Sequence, residues 1–295
     1  MSFDTRLLVA DDWEDYALLD SGHGRKLERF GDQVLDRPDP QAFWTPARPL
    51  SEWQADAVFD ERSGEDERGR WDVTSPRARD AWPLRWRDLG FTARRTPFRH
   101  VGVFQEHSVH WAFAREQIRT AGRPVKVLNL FGYTGMMSLA CAAEGAEVVH
   151  LDASPKSNGY GKENQVLSGL QDRKIRWIAD DAMKFVAREQ RRGNRYDAIV
   201  LDPPKFGRGP KSETWRFEEG LPGLLDGVRA LLSDDPLFVI LTAYAVRLSY
   251  LAIAQTLGDR LDGLGGQIET GEMALPQQGS DRLLPTAIYA RWMAA

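Results

Sequence analysis

One stretch in the middle of the chain constrains the fold most, because it places a buried strand directly before a glycine turn. It reads Val125-Lys-Val-Leu-Asn-Leu-Phe-Gly-Tyr-Thr-Gly135, and its apolar first half is typical of a strand that is covered on both faces. Gly132 and Gly135 allow the backbone to turn sharply and to approach a ligand without an intervening Cβ atom. We expect a helix to begin after Gly135. Ligands of open parallel sheets bind at such strand ends.

Strands and helices alternate from this stretch to the C-terminus, which predicts a doubly wound, Rossmann-like α/β sheet. The last two strands lie too close together for a helical crossover, so the final strand is expected to run antiparallel. A helix is expected around residues 213–232. Seven strands are predicted, at residues 125–131, 148–152, 175–179, 196–202, 237–244, 267–273 and 284–292.

The first hundred residues have a different pattern, with short strands at residues 16–20, 26–30 and 33–36. Residues 60–70 are polar and are expected to form an exposed loop. We predict a small β-rich domain over residues 1–100 and the sheet domain over residues 101–295. Many tryptophans fall early in the chain, and they are interpreted as core, with a base-stacking platform as the alternative. They are Trp13, Trp44, Trp53, Trp71, Trp82, Trp86 and Trp111.

Charge and cysteine content narrow the class of protein. The formal net charge of −4 argues against a protein that coats nucleic acid, although a local basic cleft stays possible around the cations of residues 205–216. The single cysteine, Cys141, excludes an internal disulfide, and the N-terminus has no signal peptide, so we expect a cytoplasmic protein. His107 and His110 lack a third ligand at metal-binding spacing, so no metal site is expected.

Acidic residues follow the second and third strands of the predicted sheet. Asp152 ends the second strand, where a carboxylate can accept hydrogen bonds from both hydroxyls of a ribose. Ser154 and Pro155 suit the N-cap and first position of the next helix. Asp180 and Asp181 end the third strand, where they can accept from an adenine amino group. Because the glycine spacing differs from that of dinucleotide-binding proteins, these elements favour S-adenosylmethionine (SAM) over NAD or FAD.

A second motif, Asp202-Pro-Pro-Lys-Phe206, follows the fourth strand. In methyl transfer the protein mainly positions the acceptor in line with the methyl group. Asp202 can contact the cofactor and can accept a hydrogen bond or a proton from the acceptor. Pro203 and Pro204 stiffen the backbone, so that their carbonyl groups can face the substrate.

The residues after these prolines are candidates for substrate binding. Lys205 can hold a phosphate or neutralise an enolate-like oxygen, or it is an ordinary surface cation. Phe206 can stack on a flipped base, or it packs beneath the loop. The segment Arg208–Lys211 has two glycine or proline breaks and is expected to be a mobile, basic loop.

Together these motifs resemble the class I methyltransferases, specifically the bacterial large-subunit ribosomal RNA methyltransferases that modify cytosine C5 or guanine N7. The matching segments are Leu128–Gly135, Asp152-Ala-Ser154, Lys162-Glu-Asn164, Asp180-Asp181 and Asp202–Phe206. The resemblance as a whole covers the chain from about residue 100 to the C-terminus. It also implies that Val101–Glu106 folds over the cofactor. The residues that it implies for the SAM pocket are Phe104, Gln105, Asn129, Phe131, Gly132, Thr134, Asp152, Ser154 and Asp181.

One departure from the family concerns the thiol that cytosine C5 methylation requires as a nucleophile. The cytosine enzymes have a cysteine after the fifth strand, where this chain reads Leu241-Thr-Ala-Tyr-Ala245. Cys141 lies among apolar helical residues and is interpreted as core. We therefore expect methylation of a base nitrogen in ribosomal or other RNA. The alternatives are a methyltransferase for a small molecule or protein side chain, and a non-catalytic module that binds RNA or nucleotides.

Overall fold

The computed structural model describes residues 3–61, 68–211 and 213–295 of the chain. It divides into two compact units, and their bounds differ from the predicted domains, residues 1–100 and 101–295, which stay a prediction. The first unit comprises Met1–Leu8, His110–Met273 and Ala287–Ala295. The second unit comprises Val9–Val109 and Ala274–Thr286.

The strands before the first helix, apart from β1, form most of the second unit. β2 to β6 make a five-stranded sheet in chain order, while β7 and β8 pair as a separate hairpin. β2, β3 and β4 are antiparallel neighbours, which confirms the short antiparallel strands predicted there. The strands are β1 Phe3–Val9, β2 Tyr16–Gly22, β3 Arg25–Phe30, β4 Gln33–Pro38, β5 Ala57–Glu61, β6 Gly69–Val73, β7 Ala81–Trp86 and β8 Leu89–Arg94.

The loop predicted over residues 60–70 is wrong at both of its ends. Its first residues belong to β5 and its last to β6, which pair with each other, so those ends are strand instead of loop. Residues 62–67 lie outside the described part of the chain.

The core of the second unit is rich in tryptophan. Trp82 and Trp86 are fully buried, and the ring of Trp13 lies 5.5 Å from that of Phe91. The interpretation of these three tryptophans as core residues is therefore confirmed, and no base-stacking platform is formed by them.

The rest of the chain supplies the helices and the strands of the large sheet. The helices are α1 Ser108–Thr120, α2 Met136–Ala143, α3 Pro155–Leu167, α4 Ala182–Arg191, α5 Phe217–Leu231 and α6 Tyr250–Arg260. The strands are β9 Lys126–Leu130, β10 Glu147–Asp152, β11 Ile175–Ala179, β12 Ala198–Leu201, β13 Phe206–Arg208, β14 Thr214–Arg216, β15 Phe238–Ala243, β16 Gln267–Pro276 and β17 Leu283–Met293.

The large sheet has the order β1-β16-β17-β15-β12-β9-β10-β11. The strands from β15 to β11 are parallel, and β17 runs antiparallel to β15, as predicted for the last strand. The predicted number of seven strands is wrong, because β1 adds an eighth at the edge. Gly271 lets β1 approach, since a Cβ atom there would lie 1.9 Å from the carbonyl oxygen of Arg6.

Helices pack against this sheet through a core that includes Ile199 and Leu201 of β12, a strand whose four residues are all buried. Leu224 of α5 and Phe185 of α4 are fully buried in that core. The predicted helix over residues 213–232 begins later, at Phe217, because Thr214–Arg216 pair with β13. Across the described residues, the helices are too short or too polar to cross a membrane.

Candidate active site

Neighbouring strands of the large sheet end at the same level. Leu130 of β9 lies opposite Leu151 of β10 and opposite Leu201 of β12. Because all three strands are parallel, their carboxyl ends share one edge of the sheet. The next residues come from three separate motifs and therefore lie side by side at this edge: Phe131, Asp152 and Asp202.

The turn after β9 has a strained backbone. Phe131 and Tyr133 have φ values of 58° and 50°, and Gly135 has a φ of 90°. Such angles are rare for residues with a Cβ atom and persist only where the surroundings enforce them. One restraint is buried Asn164 of α3, whose side-chain amide donates to the carbonyl of Thr134 over 3.1 Å.

The glycines of this turn make room for aromatic rings of the protein itself. A Cβ atom on Gly132 would lie 2.4 Å from Cε1 of His150, and one on Gly135 would lie 2.6 Å from the Trp177 ring. Gly161 of α3 packs on the same tryptophan, where a Cβ atom would lie 2.3 Å from Cζ3. The expected reason for Gly132 and Gly135, space for a ligand, is therefore corrected to packing. Their contact with the cofactor stays a prediction.

Asp152 has both carboxylate oxygens partly satisfied by the backbone. Oδ2 accepts from the N–H of Tyr133 over 2.9 Å, and Oδ1 accepts from the N–H of Ser154 over 2.8 Å. Within the described ranges no Lys, Arg or His forms an ion pair with it. Burial raises the pKa of this carboxyl. Each oxygen can accept one further hydrogen bond, which suits two neighbouring ribose hydroxyls.

Asn129 was expected to line the pocket, but its side chain belongs to an interior network. The residue is 2% exposed, and Nδ2 donates to Oγ of Ser138 over 2.9 Å. Ser138 Oγ lies 2.9 Å from Nδ1 of His150. Burial lowers the pKa of His150 to about 3, so the ring is neutral. The interpretation of His150 as a core residue is confirmed.

Two further predicted residues cap helices. Ser154 accepts from the N–H of Ser157 over 3.1 Å at the start of α3, as predicted. Asp181 is the N-cap of α4, where Oδ1 accepts from the N–H of Lys184 over 3.0 Å. We did not predict this cap, although an aspartate before a helix is a recognised signal for one. Asp180 pairs with Arg188 over 2.7 Å.

The backbone after Asp202 is fixed by a tryptophan that sequence reasoning missed. The indole N–H of Trp215 donates to the carbonyl of Pro204 over 2.7 Å, so the expectation that this carbonyl faces a substrate is corrected. The same ring lies 5.3 Å from the Phe131 ring. Pro203 is buried and Asp202 is half-buried. Trp215 thus connects the glycine turn to the Asp202 motif.

The segment predicted as a mobile loop is part of a hairpin. Phe206 lies opposite Arg216 in the β13–β14 pair, and the N–H of Gly209 donates to the carbonyl of Glu213 over 2.8 Å. Glu213 pairs with Lys184, and this hydrogen bond lowers the pKa of Glu213 to about 2. Glu213 therefore fixes the turn between β13 and β14, through the hydrogen bond from Gly209 and the ion pair with Lys184.

This hairpin exposes an aromatic ring and several cations. Phe206 is 50% exposed, which disfavours the alternative that it packs beneath the loop. The Arg216 guanidinium lies 5.9 Å from the centre of its ring. Lys205, Arg208 and Lys211 are exposed and form no ion pair with any residue that the structure describes.

Phe104 and Gln105 lie in the second unit. Gln105 is 3% exposed, and its amide donates to Oε1 of Glu28 over 3.0 Å. Phe104 is half-buried. Their contact with the cofactor stays a prediction from the family resemblance.

Cys141 is fully buried in α2, with Sγ 3.8 Å from Sδ of Met137. Burial raises the pKa of its thiol to about 12, so a thiolate nucleophile is not available there. The interpretation of Cys141 as core is confirmed. In the part of the chain that is described, no three His, Cys, Asp or Glu side chains converge as metal ligands.

A family model described as S-adenosylmethionine-dependent methyltransferase matches residues 21–234. The chain belongs to this family. This membership indicates an enzyme that uses SAM and disfavours the alternative of a non-catalytic binding module. The match starts at residue 21, whereas the resemblance in the sequence was expected to start near residue 100.

Similar proteins agree with this assignment. One similar protein is a SAM-dependent methyltransferase from Agrobacterium tumefaciens, whose crystal structure has a TM-score of 0.93 and whose sequence is 45% identical. The match covers 98% of this chain and 95% of that chain. Ribosomal RNA large subunit methyltransferase K/L of Shewanella frigidimarina is 30% identical over 49% of this chain. Ribosomal RNA large subunit methyltransferase I of Aeromonas salmonicida is 38% identical over 28% of it. These matches span only 20% and 21% of the two curated relatives.

Proposed function

We propose that this methyltransferase transfers a methyl group from SAM to a base nitrogen in RNA. The observation that carries the RNA substrate is the β13–β14 hairpin, which begins four residues after Asp202 and presents half-exposed Phe206. The neighbouring Lys205, Arg208 and Lys211 are exposed and form no ion pair within the described part of the chain. An aromatic ring among Lys and Arg side chains suits a base and its phosphates. The ribosomal RNA methyltransferases among the relatives support the same substrate class.

The cofactor residues fit an adenosyl group at the ends of β9, β10 and β11. Asp152 has one free acceptor position on each oxygen and no cationic partner in the described ranges, so ribose hydroxyls complete its hydrogen bonds. Oδ2 of Asp181 is not used by the helix cap and can accept from the adenine amino group. Phe131 and Thr134 lie in the turn after β9, and Ser154 lies in the turn after β10.

Bound SAM supplies a methyl group on a positively charged sulfur, which makes that carbon electrophilic. The residues of the chain then have to hold the acceptor in line with it. Asp202 follows β12, next to the glycine turn after β9, and in our proposal it accepts a hydrogen bond from the acceptor nitrogen. When a nitrogen that bears hydrogen forms the new bond, it loses a proton, and the Asp202 carboxylate takes that proton. Lys205 binds a neighbouring phosphate.

The absence of an accessible thiol in this site favours nitrogen over carbon. A base nitrogen offers a lone pair directly, whereas cytosine C5 becomes nucleophilic only after a thiolate adds to C6. Cys141 is the single cysteine of the chain, and its thiol is buried with a raised pKa. Nitrogen methylation therefore needs only the positioning that Asp202 and its surroundings can provide.

The test is to incubate the enzyme with SAM and total RNA from a strain that lacks the gene, and to analyse the digested nucleosides by mass spectrometry. We expect one nucleoside to gain a methyl group on a ring or exocyclic nitrogen. A methyl group on carbon would contradict the nitrogen assignment. Transfer to protein or to small metabolites, with RNA left unmodified, would contradict the RNA substrate.

A further inference from the structure

The first strand of the large sheet has an open outer edge. β1 lies at the end of the sheet order, next to β16, and among the described residues no strand pairs with its other side. Such an edge presents unpaired backbone N–H and C=O groups to which a further strand can bind. A proline within the strand often prevents this pairing, and the seven residues of β1 include none. The edge is therefore available for another strand.

The backbone of β1 shows which residues form this open edge. A Cβ atom on Gly271 of β16 would lie 1.9 Å from the carbonyl oxygen of Arg6 and 3.2 Å from its amide nitrogen, so both groups face β16. Successive residues of a strand direct their backbone groups to opposite sides. Phe3, Thr5 and Leu7 therefore direct their N–H and C=O groups away from the sheet.

The same three residues present apolar side chains on one face of the strand. Phe3 is 37% exposed and Leu7 is 50% exposed, and residues at this spacing share a face. An exposed apolar strand at a sheet edge favours association with another chain. Beside Phe3 is an open cleft of about 490 Å³ against α6, and its other lining residues are Gln255, Gly258, Asp259 and Asp262.

The opposite face of β1 carries one acid and one base, which restrict the partner strand. Nε of Arg6 donates to Oδ2 of Asp4 over 2.8 Å and lies 3.4 Å from Oε2 of Glu269. In an antiparallel pair, opposite charges that face each other are stabilising and like charges are destabilising. The partner strand should therefore offer a base opposite Asp4 and an acid opposite Arg6. β1 itself offers this order when it runs in the reverse direction.

A two-fold axis at Thr5 satisfies the backbone, the apolar face and the charges together. Thr5 then exchanges two backbone hydrogen bonds with Thr5 of the second copy, and Phe3 does the same with Leu7. Asp4 of each copy lies opposite Arg6 of the other. An axis at residue 4 or 6 would instead place two aspartates or two arginines opposite each other, and an axis at residue 7 would leave both charges opposite uncharged residues.

We propose that β1 binds β1 of a second copy of this chain in this register, so that the two eight-stranded sheets continue into one another. Each copy contributes the same segment, so the contact closes as a two-fold dimer and leaves no open edge at β1. The pairing gives hydrogen-bond partners to the outward backbone groups, and it covers Phe3 of each copy with Leu7 of the other.

The first experiment reverses the charges and measures dimerisation by sedimentation equilibrium. Asp4→Arg places like charges in both cross-strand pairs and should weaken the dimer about 10- to 100-fold, and Arg6→Asp should do the same. An equimolar mixture of the two variants should recover the dimer, because every acid again faces a base. Asp234→Arg is the matched control, since it makes the same change at an exposed aspartate outside β1 and should leave the dimer intact.

The second experiment tests the register by disulfide formation. Thr5→Cys places two thiols across the axis, with Cα atoms about 5.5 Å apart, which a disulfide can bridge. Leu7→Cys is the matched control, because its two thiols lie four residues apart along the paired strands, a distance of about 14 Å. Cys141 is buried and does not take part. On mild oxidation, Thr5→Cys should form a covalent dimer and Leu7→Cys should not.

Thermal melting accompanies each variant. A wild type that stays monomeric at its highest soluble concentration would overturn the proposal. A mixture of folded charge variants that stays as monomeric as its components would also overturn it. If Arg6→Asp does not fold without its contact to Glu269, the disulfide experiment decides. A covalent dimer of Leu7→Cys in place of Thr5→Cys would overturn the register and the proposal with it.

Discussion

At the ends of β9 and β10 the polar side chains are tied into the interior, whereas beyond the end of β12 they are exposed. Asn129 is joined to Ser138, and Asp152 accepts from two backbone N–H groups. After Asp202, by contrast, Lys205 is exposed and Phe206 is 50% exposed. We refer to the ends of β9, β10 and β11 as the cofactor edge, and to Asp202 with the β13–β14 hairpin as the acceptor edge.

This contrast indicates where the chain can vary. The cofactor edge has little freedom, because a side chain on Gly132 would overlap the ring of His150, and one on Gly135 or Gly161 would overlap that of Trp177. The exposed cations of the acceptor edge make few contacts with the fold, so substitutions there change surface charge more than stability. Methyltransferases that share SAM but differ in their acceptor would require this division between a constrained cofactor edge and a variable acceptor edge.

The largest effect is expected at Asp202. Asp202→Ala should lower turnover about 100- to 10,000-fold, the usual range for loss of a proton-accepting group, while SAM affinity falls much less. Asp202→Asn keeps an acceptor oxygen but cannot take a proton, so a similar loss would assign proton transfer to Asp202. Single-turnover kinetics and SAM calorimetry provide the measurements. Equal losses of turnover and SAM affinity would place Asp202 on the cofactor edge and break the comparison.

The next effect is expected at Asp152 and should appear in SAM affinity. Removing the carboxylate deletes hydrogen bonds of a charged group, which contribute roughly 1.5–3 kcal/mol. Asp152→Ala should therefore weaken SAM about 10- to 150-fold by calorimetry, with the melting temperature measured as a control because Tyr133 and Ser154 lose their acceptor. A folded variant with unchanged SAM affinity would show that Asp152 does not bind the ribose.

Much of the cofactor edge could be predicted because its signals are local. Asp152 directly ends an apolar strand, and Ser154 with Pro155 directly starts a helix, so neighbours in sequence decide both features. The two glycines were correctly placed in a turn. The physical reason why these two positions need glycine was missed, because His150 and Trp177 come from other strands, and their packing cannot be deduced from the sequence of the turn.

The acceptor edge and the outer strand of the sheet depended on contacts that are distant in sequence. β1 pairs beside β16, which lies at the other end of the chain, and no local pattern specifies that neighbour. The hairpin was predicted as loop and helix because its strands have three residues each. Trp215 fixes it through Pro204 and Phe131, and neither contact follows from periodicity.

A smaller effect is expected from two cations of the acceptor edge. Lys205→Ala with Arg208→Ala should weaken RNA binding and reduce the slope of log affinity against log salt by at most about 1.4, since a single-strand phosphate contact contributes about 0.7. The matched control is Arg191→Ala with Arg195→Ala, which removes the same charge near the end of α4. If both pairs changed the slope equally, binding would follow overall charge and the hairpin would have no special role.

The smallest effect is expected at Cys141, and it separates the two kinds of base chemistry. The thiol lies in the apolar core of α2, so Cys141→Ala removes one buried sulfur atom and should lower the free energy of unfolding by about 1 kcal/mol. Turnover should stay near that of the wild type, because the proposed nitrogen acceptor needs no thiolate. Serine at this position would bury a hydroxyl and should be less stable than alanine, again with turnover retained. Abolished turnover in a folded Cys141→Ala variant, or a covalent adduct with RNA that contains 5-fluorocytosine, would contradict this. Either result would make the single cysteine part of the acceptor edge and restore the cytosine C5 reaction.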